Sequence, residues 1–324
     1  MSLMKAIVYE KYGSPDVLQI KDIAKPVPSD EQILIKVHAV SINGSDKENL
    51  IGKPGYVRMS GLFKPSNPIL GSDIAGVVEA VEKNNTEFQV GDEVFGEIPG
   101  YHGGFAEYVV THGKTLMKKP AGMSFEEVSA IPQGGVIAYN GIIKKGQVQS
   151  GQKVLINGAG GSGGTFAVQL AKLQGAKVTG VDNTGKLDFL RSLGADHVMD
   201  YTHENFTKSG GRFDLILDLI ANRSAFAYPR ALKPNGKYFF TGGSLSTLFQ
   251  ILILGPLIKR ITGRNVRMLA VPQNRDDLSA ITNLIEAGKV RPVIDRKYTF
   301  DEIHEAMRYV SEGRAKGKVV ITVE

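Results

Sequence analysis

Five glycines crowd into seven positions in Gly158-Ala-Gly-Gly-Ser-Gly-Gly164. An apolar run at 154–156 leads into them, and a helical pattern opens after them at Thr165-Phe-Ala-Val-Gln-Leu-Ala-Lys172. Glycines allow a tight turn and close approach of backbone to a pyrophosphate, while a following helix aims its first N–H groups at negative charge. The order strand, glycine turn, helix therefore points to a dinucleotide. A second strand pattern, Lys177-Val-Thr-Gly-Val181, ends in Asp182. That acid lies 18 residues past Gly164, close to the ~20 expected of a group that binds an adenosine ribose. Two registers fit: Gly158-x-Gly160-x-x-Gly163 and Ala159-x-Gly161-x-x-Gly164. The cofactor-binding candidates are thus Gly158, Ala159, Gly160, Gly161, Ser162, Gly163, Gly164 and Asp182. Thr241, Gly242 and Gly243 follow a later strand pattern, and strand ends are where such folds bind ligands.

The elements around this loop alternate. Strand patterns at 197–199, 213–218 and 236–240 are interleaved with helical patterns at 186–193 and 225–232. Such alternation argues an α/β unit, a parallel sheet wrapped by helices. Residues 4 to about 126 read instead as β-rich, with strands at 5–9, 32–40, 74–81, 93–95 and 104–110. The tail carries helices at 276–287 and 301–311 and a closing strand at 318–323. Met1-Ser-Leu3 reads as an extended start outside the fold, and no signal peptide is read, which makes the cytoplasm the expected location.

Composition narrows the chemistry. The 324 residues suffice for two domains, and 42% hydrophobic with 22% charged is ordinary for a globular protein. Net charge is +6, but basic residues occur along the whole chain, which suits a solvated surface better than nucleic-acid binding. With no cysteine, disulfides, thiolate metal sites and cysteine nucleophiles are excluded.

Several further motifs span the chain: Val40-Ser-Ile-Asn-Gly-Ser-Asp46, Pro68-Ile-Leu-Gly-Ser-Asp-Ile-Ala-Gly76, Val90-Gly-Asp-Glu-Val-Phe95, Gly103-Gly-Phe-Ala-Glu-Tyr108, Leu193-Gly-Ala-Asp196 and Ala315-Lys-Gly-Lys-Val-Val320. With the glycine loop, they make the chain resemble the medium-chain dehydrogenase/reductases, in the zinc-free quinone-oxidoreductase branch. Within that branch it is similar to bacterial relatives of the reticulon-4-interacting reductases. The resemblance implies a Rossmann doubly wound parallel sheet inserted into a GroES-like β-rich catalytic domain. The expected boundaries are 1–126 and 266–324 for the catalytic domain and 127–265 for the dinucleotide-binding domain. It also implies a homodimer paired through the cofactor domains.

Zinc is not expected. Catalytic zinc takes three ligands from Cys, His, Asp or Glu. Zinc-dependent relatives have Cys where this chain has Asn43, and His where it has Ser72. The cysteines of their structural-zinc lobe are also missing, and the six histidines show no paired ligand spacing. Without a Lewis acid to acidify an alcohol, the easier task for NADH or NADPH is hydride delivery to a quinone or an α,β-unsaturated carbonyl. The catalytic candidates are Asn43, Ser45 and Asp46. Ser45 matches a proton-relay position, and Asn43 is placed to orient substrate or nicotinamide ribose. Tyr56 joins them because related enoyl reductases place a proton-donating Tyr shortly after this loop. Asn-Gly-Ser-Asp is also an ordinary turn sequence.

Two features pull cofactor choice in opposite directions. Asp182 suits a ribose diol and repels a 2′-phosphate. The resemblance implies NADPH, and Lys186 is spaced to pair with that phosphate. Either NADP(H) or NAD(H) fits. The alternatives in function are a metal-free alcohol or carbonyl dehydrogenase and a non-catalytic NAD(P)H-binding sensor or partner-binding protein.

Residues 245–258 form a 14-residue apolar run broken by Gly255-Pro256 and followed by Lys259-Arg260. It is too short to span a bilayer, so no stable membrane insertion is expected. A helix at a dimer or domain interface, a wall of the acceptor pocket and a peripheral membrane contact all fit it.

The missing ligands generate a prediction. Purified protein should hold far less than one zinc per chain and lose no activity to chelators. Elemental analysis finding stoichiometric zinc would overturn it.

Overall fold

The structure, a computed structural model, describes residues 2–29, 31–59, 61–82 and 87–323. Strands β1 (Leu3–Val8), β2 (Gln19–Ala24) and β3 (Gln32–Ile42) come first. Helix α1 (Gly44–Ile51) follows, then β4 (Asp73–Val81), β5 (Glu93–Glu97), β6 (Tyr108–His112) and β7 (Leu116–Lys118). The glycine loop joins β8 (Lys153–Asn157) to α2 (Ser162–Leu173). Next are β9 (Lys177–Asp182), α3 (Leu187–Ser192), β10 (His197–Asp200), β11 (Phe213–Asp218) and β12 (Leu232–Phe240). Helix α4 (Leu245–Thr262) and β13 (Asn265–Met268) follow. The chain ends with α5 (Arg275–Glu286), β14 (Ile294–Thr299), α6 (Ile303–Ser311) and β15 (Lys318–Thr322).

Two compact units result. One takes Met1–Gln133, Gln273–Glu286 and Pro292–Glu324; the other takes Gly134–Pro272 and Ala287–Arg291. In the first, a seven-stranded sheet runs β14-β15-β3-β4-β5-β7, with β6 also on β3, and β1 pairs β2 apart from it. Long β3 is the spine. Its buried Ile33, Ile35, Val37 and Val40 meet Ile74, Val78, Val94 and Val319 in one core.

In the second unit six strands run parallel in the order β10-β9-β8-β11-β12-β13. The reversal of direction between β8 and β11 makes it doubly wound, and ligands bind such sheets where the order reverses. Strands β8 and β11 read as nearly continuous apolar runs because both sheet faces are covered.

The structure corrects several sequence-based expectations. The junctions fall at 133/134 and 272/273 rather than 126/127 and 265/266, because β13 completes the parallel sheet. Short, polar β13 gives no apolar signature, and β2, with no fully buried residue, gives little. The expected strand at 104–110 begins only at Tyr108, since Phe105 and Glu107 bond out to β1 and to Leu70. The expected helix at 225–232 shrinks to one turn, Tyr228–Ala231, around Pro229. Leu3 and Met4 lie in β1, with Met4 buried, so the extended start is within the fold; Met1 lies outside the described residues. The apolar run does not stop at Gly255-Pro256: α4 continues to Thr262, and by length and composition alone it could cross a membrane.

One interaction joins the two ends of the first unit. Lys318 heads β15 and is 1% exposed. Its ammonium donates to Ser41 Oγ at 2.9 Å, Asn43 Oδ1 at 2.6 Å and Asp73 Oδ2 at 2.9 Å. Three donors meet three acceptors, on the neighbouring strands β3 and β4 and the residue after β3. A buried charge left unpaired costs far more than the pair gains. Lys318→Met should therefore destabilise the fold by about 3–5 kcal/mol in urea unfolding. Adding Asp73→Asn to it should cost little more. A single-variant loss below about 1 kcal/mol, the range of exposed pairs, would show that the ion pair is not set as described.

Candidate active site

The glycine loop is shaped by different demands at different positions. Gly158 turns the chain at φ +80°, a conformation other residues rarely adopt. Gly164 lies on the first turn of α2, and a Cβ there would run into the carbonyls of Gly158 and Ala159. Gly161 differs: a Cβ there would meet nothing nearer than Gly158 O at 3.5 Å. The protein itself does not require a glycine at 161. The turn glycine belongs to one of the two sequence registers and the packing glycine to the other, so neither register describes the loop alone.

The start of α2 is open to an anion. Its first intrahelical bond runs from Thr165 N–H to Gly161 O at 3.0 Å, so the N–H groups of Ser162, Gly163 and Gly164 precede the helical ladder. Ser162 Oγ is buried without a hydrogen-bond partner. Buried hydroxyls are normally bonded, and an orphan beside a glycine turn suits a phosphate oxygen. These residues fit a dinucleotide.

Asp182, at the end of β9, is buried and committed to its own backbone. Gly160 N–H donates to its Oδ2 at 2.8 Å and Asn183 N–H to its Oδ1 at 2.9 Å. Lys186 Nζ lies 3.6 Å from Oδ1, buried as well. The carboxylate thus pins the loop and pairs the lysine instead of standing free for a ribose.

Beneath the loop, sequence reasoning missed Asp218 at the end of β11. It accepts from Asn157 Nδ2 at 2.7 Å and Tyr238 OH at 2.8 Å. Burial pushes its carboxyl up to about 6, against these bonds. Its carbonyl accepts from Thr241 N–H and Oγ1, and Gly242 O accepts from Ala221 N–H. Thr241, Gly242 and Gly243, after β12, therefore sit at the same carboxyl edge of the parallel sheet as the glycine loop after β8.

The other candidates gather in the first unit. Asn43 caps α1 from an extended conformation. It is 2% exposed, accepting from Lys318 and donating through Nδ2 to Ser72 Oγ at 3.3 Å. Asp46 is fully buried, and its two oxygens accept Asn43 N–H at 2.7 Å and Gly71 N–H at 2.8 Å. Burial pushes it up to about 7, although both bonds favour the charged form. Both oxygens thus hold the backbone of the loop.

Ser45 is half-buried and shares hydrogen bonds of 3.3–3.4 Å with the Gln133 amide. That amide also donates to Glu97 Oε1 at 3.0 Å. Glu97 is pushed up to about 7, first by burial and then by the nearby Asp73 charge. Tyr56 is not brought to this cluster. It is 38% exposed and donates to Glu48 Oε2 at 3.2 Å. Burial and then the Glu48 charge push its phenol up to about 12.

Lys318, Asp73, Glu97 and Gln133 escaped the sequence reading. The available signal was a charge inside an apolar run: Lys318 before Val319-Val-Ile321, and Asp73 before Ile74-Ala75.

Comparison with known proteins finds matches along most of the chain. Residues 29–121 match the alcohol dehydrogenase GroES-like domain, and residues 193–321 match the family described as zinc-binding dehydrogenase. The chain is 35% identical over 332 residues to the 2-methylene-furan-3-one reductase of Solanum lycopersicum, covering 99% of this chain and 79% of that protein. It is 31% identical over 362 residues to the mitochondrial NAD(P)H oxidoreductase RTN4IP1 of Homo sapiens, covering 99% and 90%. The solved quinone oxidoreductase of Coxiella burnetii superposes with a TM-score of 0.90 at 27% identity, over 100% of both chains. On this full-length similarity, the chain belongs to the medium-chain dehydrogenase/reductase family, in its quinone-oxidoreductase branch.

Proposed function

We propose that this chain is an NAD(P)H-dependent, zinc-independent oxidoreductase that delivers hydride to a quinone or an α,β-unsaturated carbonyl. One observation carries the cofactor half of this reading. Gly161 has room for a side chain, yet it sits between a tight turn and a helix start with an orphaned Ser162 hydroxyl. A phosphate group explains both features. When bound, the nicotinamide supplies the hydride. The chain holds the phosphates at Gly161–Gly164 through backbone N–H groups and the Ser162 hydroxyl.

The acceptor half rests on Asn43 and Ser45. Lys318 fixes the Asn43 oxygen inward, which leaves its amide hydrogens as the donors. Ser45, half-buried and only loosely held by Gln133, is the hydroxyl free to meet an acceptor oxygen. Zinc independence is supported by chemistry at the position where zinc-dependent relatives have ligands. Asn43 and Ser72 are poor zinc ligands, and an ammonium is already bonded to Asn43. The zinc in the matched family's description therefore does not extend to these residues.

We further propose that the site accepts both NADH and NADPH, in the cytoplasm, in a homodimer. Asp182 spends its oxygens on Gly160 and Asn183, which weakens its repulsion of a 2′-phosphate. Lys186 stands beside it as that phosphate's partner. Edge strand β13 pairs on one side only among the described residues, which suits a dimer through this sheet.

Two experiments test the reading. Gly161→Val should fold as wild type yet bind cofactor at least about tenfold more weakly, because only the ligand needs that space. Gly164→Val should damage the fold itself. Normal cofactor titration of Gly161→Val would overturn the phosphate assignment. For the second, Asp182→Ser frees Lys186 and should shift the ratio of NADH to NADPH dissociation constants about tenfold toward NADPH, as a charge-assisted contact is gained. An unchanged ratio would show that neither residue faces the ribose. Oxidation of NADH and NADPH against quinones, enones and aldehydes tests the acceptor, and no turnover with any of them would leave a binding protein.

A further inference from the structure

Helix α4 turns a large apolar face outward. Phe249, Leu252, Ile253, Leu257 and Ile261 are 54%, 51%, 72%, 49% and 73% exposed. At intervals of three, one, four and four residues they fall on one side of the helix. Phe226, 56% exposed, lies beside them, since Ala225 N–H donates to Gln250 Oε1 at 3.0 Å. The opposite side, with Thr247, Ile251, Gly255 and Ile258, is buried. A Cβ on Gly255 would run into the Val266 carbonyl, so the helix lies close against β13.

The charge around this face is of one sign. Between Asp218 and Asp276 there is no acidic residue, while nine residues are Lys or Arg. The rest of the chain is slightly negative, although the whole carries +6. Lys259 and Arg260 lie exposed in the last turn of α4, and Arg264 and Arg267 follow directly. None of the four forms an ion pair among the described residues.

We infer that the outer face of α4 docks on an anionic lipid surface. Exposed aliphatic and aromatic side chains with a cationic end and no acid are what an interfacial helix requires. The apolar face enters the headgroup boundary, and Lys259 and Arg260 remain at the phosphates. Each basic residue near such a surface strengthens the attraction. A span is excluded by the packed side. The helix is about 27 Å long at 1.5 Å per residue, but Ile251, Gly255 and Ile258 belong to the core of the unit and cannot leave it. Pairing two copies through this face would cover the apolar side chains but offer Lys259, Arg260, Arg264 and Arg267 no acid, since the segment between Asp218 and Asp276 holds none. A nucleic acid gains nothing from five exposed apolar side chains.

The test is sedimentation of the full-length protein with two kinds of vesicle. One is phosphatidylcholine alone, and the other is phosphatidylcholine mixed with phosphatidylglycerol. Binding to the mixed vesicles should be at least about tenfold stronger, and it should weaken as salt is raised. Ile253→Asp/Leu257→Asp and Lys259→Glu/Arg260→Glu should each lose about tenfold or more on the mixed vesicles. Circular dichroism and cofactor titration confirm that both variants fold. No binding of wild type to mixed vesicles would overturn the inference. So would a wild-type dimer that Ile253→Asp/Leu257→Asp dissociates while vesicle binding stays absent; the face would then join two copies of the chain.

Discussion

The β-rich unit depends on a charge that water does not reach. Lys318 comes from the last strand, and its acceptors Ser41, Asn43 and Asp73 come from the first quarter of the chain. The Lys318 ammonium gains its three acceptors only where β15 has returned to β3. A buried ammonium with three acceptors is tolerable, and the same ammonium with two is costly. The returning strand thus holds the Asn43 side chain, while Asp46 holds its backbone. The returning end of the chain and the geometry around Asn43 are coupled in this unit through that ammonium.

Carboxylates do parallel work in the two units. Asp46 takes N–H groups from Asn43 and Gly71, and Asp182 takes them from Gly160 and Asn183. Each pins a loop that has no ladder of its own. Burial opposes this by favouring the neutral acid, and at Asp46 it wins enough to move the carboxyl to about 7. For Asp182 the same use of both oxygens underlies the proposal that the site takes either dinucleotide.

Helix α4 shows how a local signal misleads. Gly255-Pro256 reads as an interruption, since proline lacks an N–H and crowds the preceding turn. The helix nevertheless passes through it. Gly255 is needed where α4 approaches the Val266 carbonyl, and Pro256 lies on the exposed side. Packing of one side of the helix on the parallel sheet outweighs the local cost.

The sequence by itself determined whatever local chemistry encodes. The glycine loop with its strand and helix, the buried runs of β8 and β11, Asp182 and the lack of zinc ligands are all readable as residue types at fixed spacing. The family motifs carried the two-domain plan. Only the tertiary structure decided which polar residues meet. It drew Lys318 to Asp73 across 245 positions, set Gln133 between Ser45 and Glu97, and left Tyr56 with Glu48 at the surface. It also turned Asp182 onto its own loop and placed β13 in the sheet. No pattern of spacing announces such pairings, because burial and partner are properties of the packed chain. A lysine in an apolar strand is visible in the sequence, but the three oxygens that make it tolerable there come together only in the folded sheet.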